Sequence, residues 1–198
     1  SFARFMEQLL YAPGLGYYTA GARKFGAAGD FITAPEMTAL FGQALARQVA
    51  QIMAASVPVV LEVGAGSGRL AADLLLALEK ANALPERYFI LDLSADLCQR
   101  QQETIGAAVP HLLSRVAWLD RLPEQFSGVV VANELLDAMP AHIVAWRDDG
   151  IFERGVVLDE SGGFTWNERP ASGALLAAAT EIGEQCSLPP GFESEISL

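Results

Sequence analysis

The 198-residue sequence is poor in cysteine and histidine, the residues that form disulfides and bind zinc and other transition metals. It contains two cysteines, Cys98 and Cys186, and two histidines, His111 and His142. Neither pair has the spacing of a metal site, and two cysteines so far apart do not make a disulfide framework. We therefore expect no bound metal, little scope for a histidine-based catalytic triad, and a reducing compartment.

Positive charge and long hydrophobic runs are also scarce. The 13 Lys and Arg residues stand against 24 Asp and Glu, which gives a net charge of −11. Because nucleic-acid binding needs clustered basic residues, we expect no nucleic-acid partner. The acidic surface fits a cationic substrate, but solubility alone also explains it. The richest apolar run, residues 74–78, is far shorter than the roughly 18 residues of a membrane span, so none is expected.

Residues 59–68 predict a buried strand, a glycine-rich turn and the start of a helix. Glycine lets the backbone turn sharply and a ligand approach, and the helix N-terminus offers free N–H groups. The third glycine, Gly68, comes one residue earlier than in the dinucleotide fingerprint, and Arg69 replaces the small residue of that fingerprint. The carboxylate of Glu62 would repel a pyrophosphate but attract an ammonium. The pattern favours S-adenosylmethionine over NAD or FAD, with a turn that binds nothing as the alternative.

Acidic residues follow the next two predicted strands. Asp92 ends the strand at 87–92 and lies 24 residues after Gly68, near the separation expected of a ribose-binding carboxylate. The alternative is that Asp92 caps a helix, a role that Ser94 can also fill. Asp120 follows the weak strand at 115–118, where a short polar side chain can reach an adenine amine or simply close a turn.

The β-branched run at 128–132 predicts a fourth, fully buried strand. It leads directly into the polar residues Asn133, Glu134 and Asp137. In doubly wound sheets ligands bind at the carboxyl ends of the strands. We therefore expect these three side chains to face the substrate, with a capped turn or an exposed helix start as the alternative.

The flanking regions have simpler patterns. An amphipathic helix is predicted at 2–11 and a second helix at about 36–55, capped by Thr33 or Thr38. Residues 29–36 form either a lid over a cofactor or an ordinary N-terminal cap. Beyond Met139 the pattern changes from α/β alternation to hairpins, with strands at 142–146, 152–158 and 164–167 and a helix at 171–182.

Three stretches together resemble the MidA-like family of class I S-adenosylmethionine-dependent methyltransferases: residues 29–36 (GDFITAPE), 62–68 (EVGAGSG) and 133–140 (NELLDAMP). The first and third are much more specific than the glycine loop, and the resemblance spans nearly the whole chain. The family includes mitochondrial complex I assembly factors that act as protein arginine methyltransferases, together with bacterial relatives. The resemblance therefore implies a bacterial cytoplasmic or mitochondrial matrix location.

The resemblance also implies a fold and a set of roles. The fold is a Rossmann-like, doubly wound α/β sheet, with an N-terminal helical cap and lid at 1–58, a cofactor-binding core at 59–140 and a β-hairpin extension at 141–198. Family members are longer, so we expect the sequence to be truncated before the fifth strand. Asn133, Glu134 and Asp137 are the expected catalytic residues, acting on an arginine of a protein substrate. The expected cofactor-binding residues are Thr33, Pro35, Glu62, Gly64, Ala65, Gly66, Gly68, Asp92, Leu93 and Asp120.

Two other functions remain open at this point. One is a non-catalytic assembly factor that binds S-adenosylmethionine as a structural ligand. The other is a nicotinamide-dependent oxidoreductase, against which the crowding of the loop by Arg69 argues.

Overall fold

The computed structural model describes residues 1–18 and 33–198, which fall into two units. One unit contains residues 33–135, and the other combines residues 1–18 with residues 136–198. The predicted segments 1–58, 59–140 and 141–198 therefore do not coincide with the units of the structure. The difference arises because the first helix, α1 (Phe2–Tyr11), packs with elements from the C-terminal part of the chain.

The unit of residues 33–135 alternates helices and strands. Its elements are α2 (Ala34–Met37), α3 (Ala39–Ala55), β1 (Val59–Val63), α4 (Arg69–Lys80), β2 (Arg87–Leu91), α5 (Ala95–Ala108), a 3-10 helix (Pro110–Arg115), β3 (Val116–Leu119) and β4 (Val129–Ala132). All four strands are parallel, in the order β3-β2-β1-β4. β2 and β3 therefore lie on one side of β1, and β4 lies on its other side. This reversal of strand order is the topological switch point of a doubly wound sheet, where ligands usually bind.

The register of the strands brings their carboxyl ends together. Val63 pairs with Leu91 of β2 and with Ala132 of β4, and Leu91 pairs with Leu119 of β3. Four predicted site residues come directly after these paired positions: Gly64, Asp92, Asp120 and Asn133. The sheet therefore places all four at one edge.

The sheet and the helices of this unit share one apolar core. Leu74, Leu75 and Leu78 of α4 are fully buried and belong to the same cluster as Tyr88 and Ile90 of β2. Burying a leucine side chain stabilises a fold by about 1.5–3 kcal/mol. Burial of these leucines fixes α4 against the sheet. It thereby fixes the glycine loop, because this loop connects β1 to α4.

Two details of this unit differ from the sequence expectations. The helix predicted at 36–55 is interrupted at Thr38, whose Oγ1 accepts a hydrogen bond of 3.2 Å from the backbone N–H of Leu40 and so caps α3. Thr33 occupies the N-cap position of α2 but makes no side-chain capping bond. β4 is not fully buried, since Val130 is 57% exposed. The alternation of buried and exposed residues along β4 shows that the described residues cover only one face of this edge strand.

The other unit contains an antiparallel sheet with the order β7-β6-β5-β8. Its elements are α1, a short 3-10 helix (Leu136–Ala138), β5 (His142–Arg147), β6 (Gly150–Leu158), β7 (Phe164–Pro170), α6 (Gly173–Cys186) and β8 (Glu193–Ile196). The hairpins β5–β6 and β6–β7 agree with the predicted ones. The indole N–H of Trp146 donates a 3.1 Å hydrogen bond to the carbonyl of Ala179 and joins the sheet to α6. Among the described residues, no helix is long and apolar enough to cross a membrane.

Candidate cofactor and substrate site

The glycine loop adopts a backbone that other residues tolerate poorly. Gly64, Gly66 and Gly68 have φ angles of +72°, +54° and +82°. A Cβ added to Gly64 would lie 3.0 Å from Cδ1 of Leu135, and a Cβ on Gly68 would lie 2.9 Å from Cα of Gln101. The loop therefore needs glycine at these two positions for both its conformation and its close packing.

The loop is anchored to the sheet and leaves the start of α4 without a side-chain cap. The N–H of Gly64 donates to the carbonyl of Leu91 at 2.9 Å, and the N–H of Gly68 donates to the carbonyl of Ala65 at 2.9 Å. Gly68 is the N-cap residue of α4 and has no side chain to offer. The N-terminus of this twelve-residue helix can therefore direct N–H groups towards a polar ligand.

Glu62 lies in the interior of the fold, two residues before the first glycine of the loop. Its side chain is 2% exposed, and Oε2 accepts a 2.6 Å hydrogen bond from the hydroxyl of Tyr88. Burial raises the pKa of the Glu62 carboxyl from 4.5 to about 7; the Tyr88 bond partly opposes this rise and the nearby charge of Asp92 adds to it. The expectation from the sequence was a carboxylate that faces a ligand ammonium. The structure shows this carboxyl buried and hydrogen-bonded to Tyr88, and its contact with a ligand ammonium stays a prediction.

Asp92 directly follows β2, and its carboxylate accepts hydrogen bonds from both backbone and side-chain donors. Oδ1 accepts from the N–H of Ser94 at 3.1 Å, and Oδ2 accepts from Nε2 of Gln101 at 2.9 Å. Burial raises the pKa of Asp92, while the hydrogen bonds from Ser94, Gln101 and Leu93 oppose that rise. Ser94 is the N-cap of α5 through its bond from Leu97, so Asp92 does not cap this helix.

Gln101 contacts two of the predicted site residues, and its role was not predicted from the sequence. Its side chain is fully buried and joins three elements. Nε2 donates to the carbonyl of Gly66 at 3.1 Å and to Asp92, while Oε1 accepts from Nε1 of Trp118 at 2.9 Å. One amide thus fixes the glycine loop and the acid after β2 relative to β3. Its position in α5 could have identified it. Gln101 lies four residues before the buried Ile105, on the helix face where an apolar side chain is expected.

Leu93 and Asp120 lie at the same edge and are both exposed. Leu93 follows Asp92 and is 82% exposed, which is unusual for a leucine. Asp120 follows β3. An apolar side chain next to two carboxylates suits a ligand that has a flat ring, a ribose and an exocyclic amine. The roles of Leu93 and Asp120 stay predictions.

The predicted lid is described only in its second half, because residues 29–32 lie outside the described residues. Pro35 is buried in the first turn of α2. Glu36 accepts a short hydrogen bond from the hydroxyl of Ser67 in the glycine loop. The end of the 29–36 motif is therefore tied directly to the loop, a contact that the sequence analysis did not predict.

The three expected catalytic side chains fall in different units. Asn133 is half-buried and Glu134 exposed, both directly after β4, whereas Asp137 is exposed on the 3-10 helix of the other unit. Glu134 has a φ of +50°, a left-handed conformation that costs a residue with a Cβ roughly 1–3 kcal/mol. Such strain is often found at functional sites. Within the second unit, the hydroxyl of Tyr11 donates a 2.6 Å bond to the carbonyl of Ala138 and fixes this turn against α1.

Comparisons with known proteins identify the family. The sequence model of a family described as "putative S-adenosyl-L-methionine-dependent methyltransferase" matches residues 44–198. A relative from Caenorhabditis elegans, named a mitochondrial protein arginine methyltransferase NDUFAF7 homolog, is 30% identical over 164 residues, covering 71% of this chain and 38% of the relative. The protein arginine methyltransferase NDUFAF7 of Danio rerio is 29% identical over 212 residues, covering 92% of this chain and 49% of the relative.

A solved structure is also closely similar. A COG1565 superfamily member from Burkholderia thailandensis, bound to S-adenosyl-homocysteine, superposes with a TM-score of 0.86 at 48% identity, over 98% of this chain and 51% of that one. The chain thus spans about half the length, or less, of the proteins that it matches. The Rossmann-like fold and the cofactor predicted from the sequence, S-adenosylmethionine, are confirmed. The chain belongs to the MidA-like family of S-adenosylmethionine-dependent methyltransferases.

Proposed function

We propose that the protein transfers a methyl group from S-adenosylmethionine to an arginine side chain of a protein substrate. The observation that carries this proposal is the register of the parallel sheet, which puts the glycine loop, Asp92 and the Asn133–Glu134 pair at one edge. The names of the two NDUFAF7 relatives support arginine as the acceptor. The resemblance to the MidA-like family favours a subunit of respiratory complex I, or its bacterial counterpart, as the substrate protein.

The residues at this edge fit the cofactor. The loop from Gly64 to Gly68 and the N-terminus of α4 would take its amino-acid part, with Glu62 supplying the negative charge for the ammonium. Asp92 would accept hydrogen bonds from the ribose hydroxyls. Leu93 would cover one face of the adenine, and Asp120 would accept from its exocyclic amine.

The chemical demand on the protein is modest. S-adenosylmethionine supplies a methyl group on a sulfonium, which is already a good leaving group. The protein then has to align the acceptor nitrogen with that methyl and exclude water. Holding two reacting groups in a productive geometry can lower a barrier by about 7–11 kcal/mol.

An arginine acceptor adds a specific requirement. Its guanidinium is fully protonated near neutral pH, so carboxylates are needed to bind it and to shift electron density towards the attacking nitrogen. We assign this role to Glu134 and Asp137, with the amide of Asn133 orienting the group. The strained backbone of Glu134 supports its assignment, because strain of this kind persists where function requires a fixed geometry.

The proposal is tested with the full-length protein, since this chain spans only part of its relatives. The protein is incubated with methyl-labelled S-adenosylmethionine and a cell extract from a strain that lacks it, and labelled peptides are identified by mass spectrometry. Methylarginine in a protein substrate is the expected result. Cofactor binding with no transferred methyl would overturn the proposal in favour of a non-catalytic assembly factor. Label on another residue type would refute arginine as the acceptor.

A further inference from the structure

The first helix presents an apolar stripe that the described residues of its own unit cover only in part. Phe2, Phe5, Met6, Leu9 and Leu10 recur at the spacing of one helix face. Within α1, which the structure describes completely, only Ala3 is buried. Leu9 is 54% exposed.

The phenylalanines of this stripe contact the antiparallel sheet. The rings of Phe2 and Trp166 lie 5.6 Å apart, and those of Phe5 and Phe164 lie 5.3 Å apart. All five residues of the stripe also line a groove of about 370 Å³, together with Ala138 of the 3-10 helix. This volume is in the range of roughly 300–1,000 Å³ typical of ligand sites.

The groove has a built geometry. The hydroxyl of Tyr11 holds the carbonyl of Ala138 at 2.6 Å, so α1 and the turn are fixed relative to each other. A groove that is already formed needs less ordering when a ligand binds.

The charged side chains that line the groove have one sign. They are Asp137 of the 3-10 helix and Glu195 of β8, and no Lys or Arg of the described residues lines it. An apolar surface next to two carboxylates fits a ligand with apolar side chains and a positive charge. A second copy of this chain fits poorly, because it has a net charge of −11.

We propose that this groove is the docking site of the substrate polypeptide. Apolar side chains of the substrate lie along α1, and its basic side chains face Asp137 and Glu195. The inference rests on the proposed function, which assigns Asp137 to the acceptor guanidinium. It adds a specificity rule: the target arginine is followed or preceded by large apolar residues.

The test uses full-length protein and a short peptide with one central arginine between leucines, compared with a peptide that has serines in place of the leucines. Binding is measured by fluorescence anisotropy, and methyl transfer by label incorporation. The leucine peptide is expected to bind about tenfold more tightly, which is the effect of a well-buried apolar contact.

The matched variants are Leu9→Glu in the groove and Leu122→Glu, a leucine of similar exposure (62% against 54%) in the other unit. Leu9→Glu is expected to raise KM for the leucine peptide about tenfold, because a charged group replaces an apolar contact, while kcat and S-adenosyl-homocysteine affinity stay unchanged. Leu122→Glu is expected to change none of these values.

Failure of the inference and failure of the proposed function are distinguishable. If the wild-type protein methylates arginine but Leu9→Glu leaves KM and peptide binding unchanged, the docking site is elsewhere. If the wild-type protein transfers no methyl, anisotropy still decides whether the groove binds the peptide. A large fall in the thermal stability of Leu9→Glu would show that Leu9 packs against the protein's own chain. Loss of a dimer in sedimentation would show that Leu9 packs against a second copy. Either result would overturn the inference.

Discussion

The hydroxyl of Tyr88 lies 2.6 Å from Oε2 of Glu62, and both side chains are buried. A carboxyl in this position is hard to ionise, which is why its pKa is raised to about 7. The same burial, with the neighbouring Glu62, raises the pKa of Tyr88 well above its usual value. The pair therefore shares one net charge at most near neutral pH, and two predictions follow from its titration.

The first concerns stability. A carboxyl whose pKa is raised by folding binds its proton more tightly in the folded state, so its stabilising effect is complete below the unfolded pKa and is lost as pH rises to about 7. As pH rises from 4.5 to about 7, the free energy of unfolding of the wild-type protein should fall by up to roughly 3 kcal/mol more than that of Glu62→Gln. Urea unfolding at several pH values checks this, and parallel curves for the two proteins would contradict it.

The second prediction concerns cofactor binding. An ammonium placed next to Glu62 favours the ionised carboxylate and lowers its pKa. We expect the affinity for S-adenosyl-homocysteine to rise with pH up to about 7 in the wild-type protein and to rise less in Glu62→Gln. Calorimetric titration of both proteins at several pH values measures the difference. Titration of the ligand's own amine affects both equally, so an identical pH dependence would remove Glu62 from the ammonium site.

Gln101 gives a third prediction. In Gln101→Leu the carbonyl of Gly66 and the indole N–H of Trp118 lose their partner, which should cost about 1–3 kcal/mol of stability. Because Asp92 also loses a donor, affinity for S-adenosyl-homocysteine should fall by about tenfold, or 1.4 kcal/mol.

The control for this variant is Gln102→Leu, the exposed neighbour of Gln101 on α5. It should leave both stability and affinity within experimental error. A Gln101→Leu protein that is destabilised but binds with normal affinity would show that the amide supports the fold alone. Titration calorimetry and urea unfolding of the two variants provide these measurements.

A fourth prediction separates backbone strain from packing in the glycine loop. Gly68 and Gly162 have nearly the same φ, +82° and +83°. A Cβ at Gly68 would meet Cα of Gln101 at 2.9 Å, whereas at Gly162 it meets nothing within 4 Å. Gly162→Ala should therefore cost only the strain, about 1–2 kcal/mol. Gly68→Ala should cost more and also weaken cofactor binding, as thermal unfolding and titration would show; equal costs would mean that the loop shifts freely.

Glu134 gives the fifth prediction. Glu134→Gln keeps the size of the side chain but removes the charge that the proposed mechanism places on the guanidinium. Methyl transfer should fall by at least about 100-fold, while S-adenosyl-homocysteine affinity stays within about twofold. The matched control is Glu124→Gln, another exposed glutamate in the same unit. Normal turnover in Glu134→Gln would exclude Glu134 from the reaction.

The parts of the fold that follow local rules were predictable from the sequence. The strands that lead to Gly64, Asp92 and Asn133 carry apolar runs, and the residues after them are polar, so their meeting at one edge follows from parallel pairing alone. The two hairpins have clear turn residues and were also found.

Contacts between residues distant in sequence were not predictable in this way. No periodic pattern shows that α1 packs with β5 and β6, or that Glu36 binds Ser67. The strand β8 consists mostly of exposed polar residues and lacks the alternation that marks a strand. Gln101 was missed because one amide in an apolar position gives only a weak signal.

The bond between Tyr11 and Ala138 also has a consequence for biosynthesis. The two residues are 127 positions apart, and the ribosome adds about 5–20 residues per second, so Tyr11 emerges roughly 6–25 s before its partner. The parallel-sheet unit is synthesised during that interval and is complete only at its end, while the N-terminal helix still has no antiparallel sheet to pack against. Its phenylalanines and leucines are then available to a chaperone, and folding of the antiparallel unit has to wait until residues 136–198 have been synthesised.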